Sequence, residues 1–570
     1  MAVRPTMAGI KRGQEASVQV LTLPAPVGGV DAKTPLPNMT GEFCIYSYNL
    51  TVEEGAVAVR PGYREWALDV EQTSELAIGT LIPFTTAGNN RLWAVTNEGI
   101  WDVSTYNSAP VQELQPNQTG TPLDDWTDVS ADAGFGTFTA FTADNGDEYM
   151  LYADSKNGLF ERNLSVPSTP LWIRPNLISP GGANPDINAN LINFVVVHKQ
   201  RIWLVEQNQT YAHYLGIGAI SGATTVFYFG SKFKYGGQLV GLFNWTVDGG
   251  AGVDDYLVAV GAGGDLIPYQ GIDPSQDDWQ NVGSYYIGKP PKGGRFASEY
   301  AGELYLLSSF GVISMSDILK GVDLGDSNNN PMSLSFRITK LLRADVAARS
   351  DSYGWQMGFV ASRGDLIIQT PEGGIQRPLQ YVLNLALGAW SFWRDVPMTA
   401  FAEWNNKLFI GADPAKLESN VYVMDVNRDN VTITAPALGQ NGLDIDFSVL
   451  SSFSRLDSPS TYKRVQYVRA DFLSVDMPPV TLVTLYDYNI GEPTATNSPS
   501  DESALSTGIW DVSTWDGALW GQGQYAPSQT VITGGNNMGR SVAIAMRGTT
   551  NQATTFIGWD VSWITGTYAL

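Results

Sequence analysis

The sequence predicts an all-β fold, in which a β-propeller-like repeat domain follows an extended N-terminal segment and precedes a C-terminal β-sandwich. A β-hairpin pattern recurs along most of the chain, at a spacing typical of propeller blades. The 59 glycines and 31 prolines supply the turns of a strand-rich protein. Beyond residue 440 the pattern changes to alternating apolar and polar residues, which indicates half-buried strands.

The best-defined hairpin spans residues 91–104. Its first strand is the apolar run Leu92–Val95, its turn contains Asn97 and Gly99, and Ile100–Val103 forms the returning strand. Similar hairpins follow, and we mark each copy by one residue of its first strand: Trp93, Tyr149, Trp203, Tyr256, Tyr305, Ile367 and Phe409. The copies are roughly 40 to 60 residues apart, which indicates propeller blades but is too irregular to give their number.

Three parts of the chain follow from these patterns. Residues 1–70 begin as a polar arm and continue as short apolar pieces separated by prolines and glycines, which is typical of an extended segment that closes a ring of sheets or lies along its rim. Residues 71–435 carry the hairpins and form the predicted propeller. Residues 436–570 alternate apolar and polar side chains and form the predicted sandwich.

One stretch of the repeat region, residues 336–349, predicts a short helix instead of strands. Ile338, Leu341, Leu342 and Val346 recur at helical spacing. The opposite face carries Lys340, Arg343 and Arg349, which we interpret as a solvated face and not as a phosphate site.

Composition and charge exclude several classes of function. Charged residues make up 16% of the chain, below the roughly 25% of an ordinary soluble protein, which favours extensive self-association. The 57 acidic residues exceed the 34 lysines and arginines and give a net charge of -23. Because DNA affinity depends on cations that neutralise phosphates, this balance argues against a nucleic-acid-binding protein.

The single cysteine, Cys44, excludes a disulfide within the chain and predicts a buried, unreactive thiol, since its neighbours are apolar. No apolar run approaches the roughly 18 residues that a membrane span requires. No apolar stretch follows the N-terminal basic residues, so we expect no signal peptide.

Motifs that carry chemistry are few. The histidines are His198 and His213, both in apolar strand contexts that predict satisfied structural side chains, and no Gly-x-Ser-x-Gly sequence is present. Gly283–Lys289 has the spacing of a phosphate loop, but the prolines that follow remove the magnesium-binding hydroxyl and the amides of a helix start.

The acidic turns give equally weak evidence for a functional site. Residues 425–429 begin like a calcium loop but lack its glycine and its closing glutamate. The turns at 144–148 and 323–328 could each collect a cation, although acidic turns are common. We therefore nominate no catalytic, cofactor-binding or metal-binding residue, expect no cofactor, and predict a protein that is not an enzyme.

Several motifs, in their order along the chain, resemble the tail nozzle proteins of short-tailed bacteriophages, also called tail hub proteins or tail tubular protein B. The matching pieces are Pro26-Val-Gly-Gly-Val, Asn49 and Arg60-Pro-Gly-Tyr63; Tyr286-Ile-Gly-Lys, Gly302-Glu-Leu-Tyr-Leu-Leu and Gly311-Val-Ile; Gln380-Tyr-Val-Leu-Asn-Leu-Ala-Leu-Gly-Ala-Trp-Ser-Phe-Trp393 and Leu408-Phe-Ile-Gly; and Tyr462-Lys-Arg-Val and Gly558-Trp-Asp-Val. Together they cover nearly the whole chain.

The resemblance implies a structural protein of the virion tail. Members of this family form a ring, expected to be a homohexamer, below the portal and its adaptor. The ring is a conduit and gate through which viral DNA passes without tight binding, and its outer surface docks tail fibres or spikes. An acidic wall fits such a conduit, because like charge keeps a polyanion mobile within a Debye length of about 8 Å.

The residues alone leave an alternative open. A propeller that binds or cleaves glycans would have the same repeat pattern, and a glycosidase needs only two carboxylates at a suitable separation. No such pair stands out in the sequence.

Overall fold

The structure is a computed structural model, and it describes residues 18–70, 77–86, 88–114, 126–166, 171–248, 253–320, 333–371, 379–412, 420–432, 442–456, 459–475, 477–494, 526–533 and 537–565. Strands dominate this part of the chain, which also contains two α-helices and three short 3-10 helices, at Leu36–Asn38, Ala189–Leu191 and Gly230–Lys232. The predicted all-β fold is confirmed.

The N-terminal segment contributes short strands before the first blade. Its described strands are β1 (Gln19–Pro24), β2 (Gly29–Val30), β3 (Phe43–Tyr48), β4 (Leu50–Glu53), β5 (Ala56–Val59) and β6 (Gly62–Ala67). Of these, β6 belongs to the propeller and the others to the sheets beside it.

Seven antiparallel groups of strands follow in the described part of the chain, and each is one blade of a propeller. Six of them are separate sheets, and blade six is part of a larger sheet. Blade one is β7 (Thr80–Thr85), β8 (Asn90–Thr96), β9 (Gly99–Asp102) and β10 (Val111–Leu114). Blade two is β11 (Gly136–Thr142), β12 (Glu148–Asp154), β13 (Gly158–Asn163) and β14 (Trp172–Ile173). After β15 (Leu177–Ile178), blade three is β16 (Ile192–His198), β17 (Arg201–Glu206), β18 (Tyr211–Tyr214) and β20 (Thr225–Tyr228), while β19 (Gly222–Ala223) pairs with β15.

Blade four is β21 (Leu239–Asp248), β22 (Val253–Gly261), β23 (Asp265–Gln270), β24 (Gln280–Asn281) and β25 (Tyr285–Tyr286). Blade five is β26 (Ala297–Tyr300), β27 (Glu303–Ser308) and β28 (Gly311–Ser314). Blade six is β29 (Gln356–Val360), β30 (Asp365–Gln369), β31 (Gln380–Asn384) and β32 (Ala389–Trp393). Blade seven is β33 (Met398–Trp404), β34 (Lys407–Ala412) and β35 (Val421–Val426), with β6 as its outer strand.

The blades form a closed ring. The first strand of each blade is its inner strand, and each inner strand contacts the next in the order β7, β11, β16, β21, β26, β29, β33, with β33 in turn contacting β7. In the seventh blade β6 pairs antiparallel with β35. A side chain at Gly62, the first residue of β6, would lie 2.0 Å from the carbonyl oxygen of Arg428, so this pairing requires glycine.

The marker residues of the predicted hairpins all lie in the second strand of a blade: Trp93 in β8, Tyr149 in β12, Trp203 in β17, Tyr256 in β22, Tyr305 in β27, Ile367 in β30 and Phe409 in β34. In the first hairpin, Thr96 pairs with Gly99 across the predicted turn. The hairpin prediction is therefore confirmed, and the blade number that the spacing left open is seven among the described residues.

The predicted helix is present as α2 (Thr339–Arg349), after the short helix α1 (Met315–Leu319), which the sequence did not predict. Ile338, Leu342 and Val346 are buried as expected, whereas Leu341 is exposed. On the charged face, Arg343 lies over the ring of Phe310.

The C-terminal strands are β36 (Ile445–Ser451), β37 (Lys463–Ser474), β38 (Val480–Tyr486), β39 (Ala526–Thr533), β40 (Val542–Thr550) and β41 (Thr554–Thr565). They form a two-sheet sandwich together with N-terminal strands: one sheet contains β39, β37, β41, β5, β4 and β1, and the other contains β3, β36, β40 and β38. Phe447 of the second sheet packs against Phe472 of the first. The sandwich thus extends beyond residues 436–570, the range predicted from sequence.

One sheet joins the propeller to the sandwich. Strand β2 lies between β32 of blade six and β3 of the sandwich and pairs in parallel with both. Gly29 stands opposite Trp390, has a φ of 73° and would place a side chain 2.5 Å from the Trp390 carbonyl oxygen. Only glycine fits there, and the resulting sheet has nine strands in the described residues.

Asn49 ties three parts of the fold together at this junction. Its backbone N–H donates to Phe392 O at 2.7 Å, and its side-chain nitrogen donates to Asp446 O at 2.7 Å. Its Oδ1 accepts from Arg60 Nε at 3.0 Å and from the backbone N–H of Arg394 at 2.8 Å. Blade six, the sandwich and the segment leading to β6 therefore share one side chain.

Arg60 continues this network into blade seven. Its Nη1 and Nη2 donate to the two carboxylate oxygens of Asp429 at 2.7 and 2.6 Å. The side chain of Arg60 is fully buried and that of Asp429 is 10% exposed. Such a buried, two-bond ion pair fixes orientation as well as position. We use "junction" below for Gly29, Asn49, Arg60, Trp390 and Asp429.

A second buried carboxylate organises the first two blades. Glu113 Oε2 accepts from the indole nitrogens of Trp93 and Trp172, both at 2.9 Å, and from Arg162 Nε at 3.2 Å. All four side chains are buried. One guanidinium and two neutral indole groups therefore supply the hydrogen bonds of the Glu113 carboxylate.

Candidate functional site: a pocket at one end of the propeller ring

A pocket of about 260 Å³ lies at the end of the ring where the inner strands begin. We call it the axial pocket. It is lined by residues of blades two, three and four and of the linkers that precede blades five and six: Phe135, Ser155, Asn193, Gln238, Val240, Ala262, Lys289, Pro290, Pro291, Lys292, Gly293, Gly294, Ser350, Asp351 and Tyr353. The ring brings these separate segments together.

Side chains from distant blades meet across this end of the ring. The ring of Tyr353, before blade six, stacks on that of Phe135, before blade two, with centroids 6.2 Å apart and an interplanar angle of 18°. The Tyr353 hydroxyl donates to Ser155 Oγ at 2.5 Å. Burial raises the pKa of Tyr353. Because blades six and two are not neighbours, these contacts span the interior of the ring.

Arg295 makes a second set of contacts across the interior of the ring. Its Nη1 donates to the carbonyl oxygen of Gly79, at the start of blade one, at 2.7 Å. Its guanidinium carbon lies 5.5 Å from the centre of the Phe135 ring, while Nε and Nη2 are shielded from solvent and have no hydrogen-bond partner in the described structure. Burial lowers the pKa of Arg295 to about 10, so the side chain remains a cation at neutral pH.

Two lysines supply charge at the pocket itself. Lys289 Nζ donates to Asp351 Oδ1 at 2.8 Å, and this pair is largely exposed, with 52% and 86% of the two side chains accessible. The hydrogen bond from Lys289 holds the pKa of Asp351 below its usual value. Lys292 Nζ lies 4.1 Å from the centre of the Tyr353 ring, a cation–π contact.

One polar atom of the pocket wall is buried without a partner. Asn193, on the inner strand of blade three, has its Oδ1 shielded from solvent without a hydrogen-bond partner in the described structure. This buried carbonyl oxygen costs stability, and because it is shielded, the pocket does not present it to a ligand. The pocket therefore offers the ammonium groups of Lys289 and Lys292 beside an aromatic wall, which suits binding of a small anion.

A second cavity, of about 340 Å³, lies between blades four and five and includes Trp245, Glu299, Tyr300 and Glu303 in its lining. Burial raises the pKa of Glu299. Glu303 Oε1 already accepts from the backbone N–H groups of Leu304 and Ser316, both at 3.1 Å. The Glu303 carboxylate thus has a structural task in its own hairpin.

The histidines lie where the sequence predicted, inside blade three. Both are buried, and burial lowers the pKa of each to about 4. His198 Nδ1 is 2.8 Å from Asn244 Oδ1, but its Nε2 is shielded from solvent without a hydrogen-bond partner in the described structure. Neither ring nitrogen of His213 has a partner there. The prediction of satisfied side chains therefore holds for one nitrogen of His198 and fails for His213. Cys44 is buried, and burial raises its pKa, as expected of an unreactive thiol.

The carboxylates of the calcium-like turn have structural partners. Asp425 pairs with Arg64 and Lys407 at 2.7 Å, and Asp429 pairs with Arg60, so arginine and lysine occupy the carboxylates of the calcium-like turn. Among the described residues, no group of three or more His, Cys, Asp and Glu side chains is placed to hold a metal ion. Residues 323–328 lie outside the described residues.

Sequence reasoning identified Lys289 only as the end of a rejected phosphate loop and did not identify the rest of the axial pocket. Asn193, Lys292 and Tyr353 are far apart along the chain, and only closure of the ring brings them together. A usable signal was present in residues 289–295, Lys-Pro-Pro-Lys-Gly-Gly-Arg, which carry three cations and no carboxylate in an acidic chain.

No protein-family model matches this chain, and no curated protein matches it. A solved structure similar to part of the chain is BBS1N, from the crystal structure of BBS1N in complex with ARL6DN, soaked with lead. The identity is 11%, the TM-score is 0.32, and the match covers 64% of this chain and 98% of that chain. At this TM-score the similarity carries no argument about function. Neither α-helix of the described residues has the length and apolar character required to cross a bilayer.

Proposed function

We propose that this protein is a structural component of the tail nozzle of a short-tailed bacteriophage, assembled with further copies of itself into a ring through which DNA leaves the virion. The observation that carries the proposal is the place of the resembling motifs in the fold. Pro26-Val-Gly-Gly-Val contains β2, which pairs with β32 in the motif that ends at Trp393. Asn49 and Arg60 belong to the junction.

The C-terminal motifs meet in the same way. Tyr462-Lys-Arg-Val leads into β37, and Gly558-Trp-Asp-Val lies in β41, the strand that pairs with β37. Motifs that are far apart in the sequence thus support one structural unit, a propeller joined to a sandwich by a shared sheet. This supports a resemblance that extends over the whole architecture and is not limited to isolated turns.

The propeller ring itself is not the conduit in this proposal. Tyr353, Phe135 and Arg295 cross its interior at one end, so the opening inside a single copy is obstructed. A passage for DNA would be enclosed between copies, as in a cyclic oligomer with head-to-tail contacts. The excess of 57 acidic over 34 basic residues would keep DNA mobile in such a passage by repulsion.

Immunogold electron microscopy of particles from the source culture tests the proposal. Antibody is raised against the full chain, and the same antibody pre-absorbed with purified protein is the control. We expect label at the end of a short tail. Label absent from every particle, or present equally with pre-absorbed antibody, would refute the assignment to the tail.

A second measurement tests the ring. Electron microscopy of the purified full chain, alone and with the tail extract of the same particles, should show rings of identical copies. A protein that remains a monomer under both conditions would contradict the proposed assembly.

A further inference from the structure

The axial pocket reverses the charge of the chain that surrounds it. The chain carries a net charge of -23. The residues that line the pocket, in contrast, include the two lysines Lys289 and Lys292 and one carboxylate, that of Asp351. Arg295 stands directly behind Phe135. An excess of cations at a concave site in an acidic protein favours a negatively charged ligand, because the local positive charge attracts it.

Both lysines are available to a ligand. The pair between Lys289 and Asp351 is mostly exposed, and ion pairs of this kind contribute little to stability, so a ligand can compete for the ammonium group. Lys292 Nζ contacts the face of Tyr353, and its charge helps to lower the pKa of Asp351. The two lysines thus share one carboxylate, which leaves an excess of positive charge at the pocket.

The backbone that carries the lysines is stiff. Pro290 and Pro291 are buried, and Gly293 and Gly294 adopt φ angles of 109° and 73°. A side chain at Gly294 would lie 2.9 Å from the ring of Phe194, which holds this backbone against blade three. Because the linker is ordered before binding, a ligand would lose little affinity to ordering it.

The size of the pocket limits the ligand, and its uncharged groups are already engaged. The Tyr353 hydroxyl donates to Ser155, and the Tyr353 ring contacts Phe135 and Lys292. The two ammonium groups are therefore the groups that the pocket offers. The volume of about 260 Å³ lies near the lower end of ligand pockets, roughly 300 Å³, and fits a molecule of monosaccharide size.

From these observations we propose that the axial pocket binds a small anion, of about monosaccharide size, that carries a carboxylate or a phosphate group. The anionic group would contact Lys289 and Lys292. This proposal does not depend on the assignment to a phage tail.

Ligand-observed NMR titrations of the purified full chain test it. The probes are D-glucuronate, which carries the carboxylate, glycerol 1-phosphate, which carries the phosphate, and D-glucose as the neutral comparison. We expect at least one anionic probe to saturate at millimolar concentration and glucose to bind much more weakly. Which anionic probe binds more tightly identifies the anionic group.

Charge variants localise the binding. Lys292→Gln and Lys289→Gln should each weaken binding of the anionic probe by about tenfold, the loss of one charge-assisted contact. Lys340→Gln is the matched control, since Lys340 is an exposed lysine on α2 outside the pocket lining, and it should bind like the wild type. Thermal melts of all variants check that the fold is intact.

Three results would overturn the proposal. Neither anionic probe binds at millimolar concentration, glucose binds as tightly as glucuronate, or the Lys292 and Lys289 variants bind as the wild type does.

Discussion

The buried ion pair between Arg60 and Asp429 makes a sharp prediction about stability. In Arg60→Met the guanidinium is replaced by an apolar chain of similar length, and the Asp429 carboxylate loses both of its bonds to the guanidinium. Breaking a buried pair by removing one partner costs about 3–5 kcal/mol, because the remaining charge is left buried. We expect a loss near the middle of this range, since Asp429 is 10% exposed.

The double variant separates the charge from the packing. In Arg60→Met with Asp429→Leu no charge remains unpaired, and replacement of a buried pair by apolar residues is often close to neutral. We expect the double variant to recover most of the stability lost in Arg60→Met. The matched control is Arg91→Met, because the Arg91 side chain is 42% exposed in its pair with Asp102, and an exposed pair contributes about 0–1 kcal/mol.

Urea unfolding followed by tryptophan fluorescence measures these changes, with the slope m compared between variants to verify that the same transition is observed. The reasoning fails if Arg60→Met lowers the free energy of unfolding by less than about 1 kcal/mol. It also fails if the double variant is as unstable as the single one.

Three further predictions concern other parts of the fold. Burial raises the pKa of Glu161 to about 7, so the contribution of Glu161 to stability is most favourable below the ordinary glutamate pKa and is lost as the pH rises through about 7. Glu161→Gln should raise the free energy of unfolding by up to about 3 kcal/mol at about pH 8 and remove this contribution from the pH dependence measured in urea titrations, and a pH profile unchanged from the wild type would contradict it. Gly62→Ala places a methyl group 2.0 Å from a carbonyl oxygen, so it should cost about 1–3 kcal/mol or more and expose β6 to limited proteolysis. Gly41→Ala is the control, because a methyl group there has nothing within 4 Å, and it should resist the protease like the wild type. Equal cleavage of both variants would refute the role of β6 in closing the ring. Glu113→Ala leaves two indole N–H groups and a buried guanidinium without their acceptor. It should lower the free energy of unfolding in urea by about 3–5 kcal/mol, and a loss below about 1 kcal/mol would contradict this prediction.

The sequence predicted the blades through their second strands and missed much of the rest for a physical reason. Second strands lie inside each blade, so residues such as Trp93 and Trp203 are buried and their strands keep a strong apolar pattern. Edge strands such as β14 and β24 have two residues each and leave little pattern to detect. Closure by β6 depends on a partner at the other end of the repeat, which no local pattern reveals.

The candidate site was less predictable than the fold. A pocket assembled from Phe135, Asn193, Lys292 and Tyr353 exists only when the ring is closed, and none of these residues belongs to a motif. Helix α2, in contrast, was predicted because Ile338, at its N-cap, and the buried residues Leu342 and Val346 follow one another at helical spacing. Local periodicity was therefore enough to predict the helix and strands, whereas the site depends on long-range pairing that local sequence does not reveal.

The pairing of β1 with β41 has a consequence for biosynthesis. These strands lie near the two ends of the described chain, with Gln19 opposite Trp563. At about 5–20 residues per second, the ribosome needs roughly half a minute to two minutes to make the residues between β1 and β41. During that time β1 and β5 lack β41, their partner in the first sandwich sheet. Newly made N-terminal strands would thus expose unpaired edges until β41 is made, the interval in which a chaperone would protect them from aggregation.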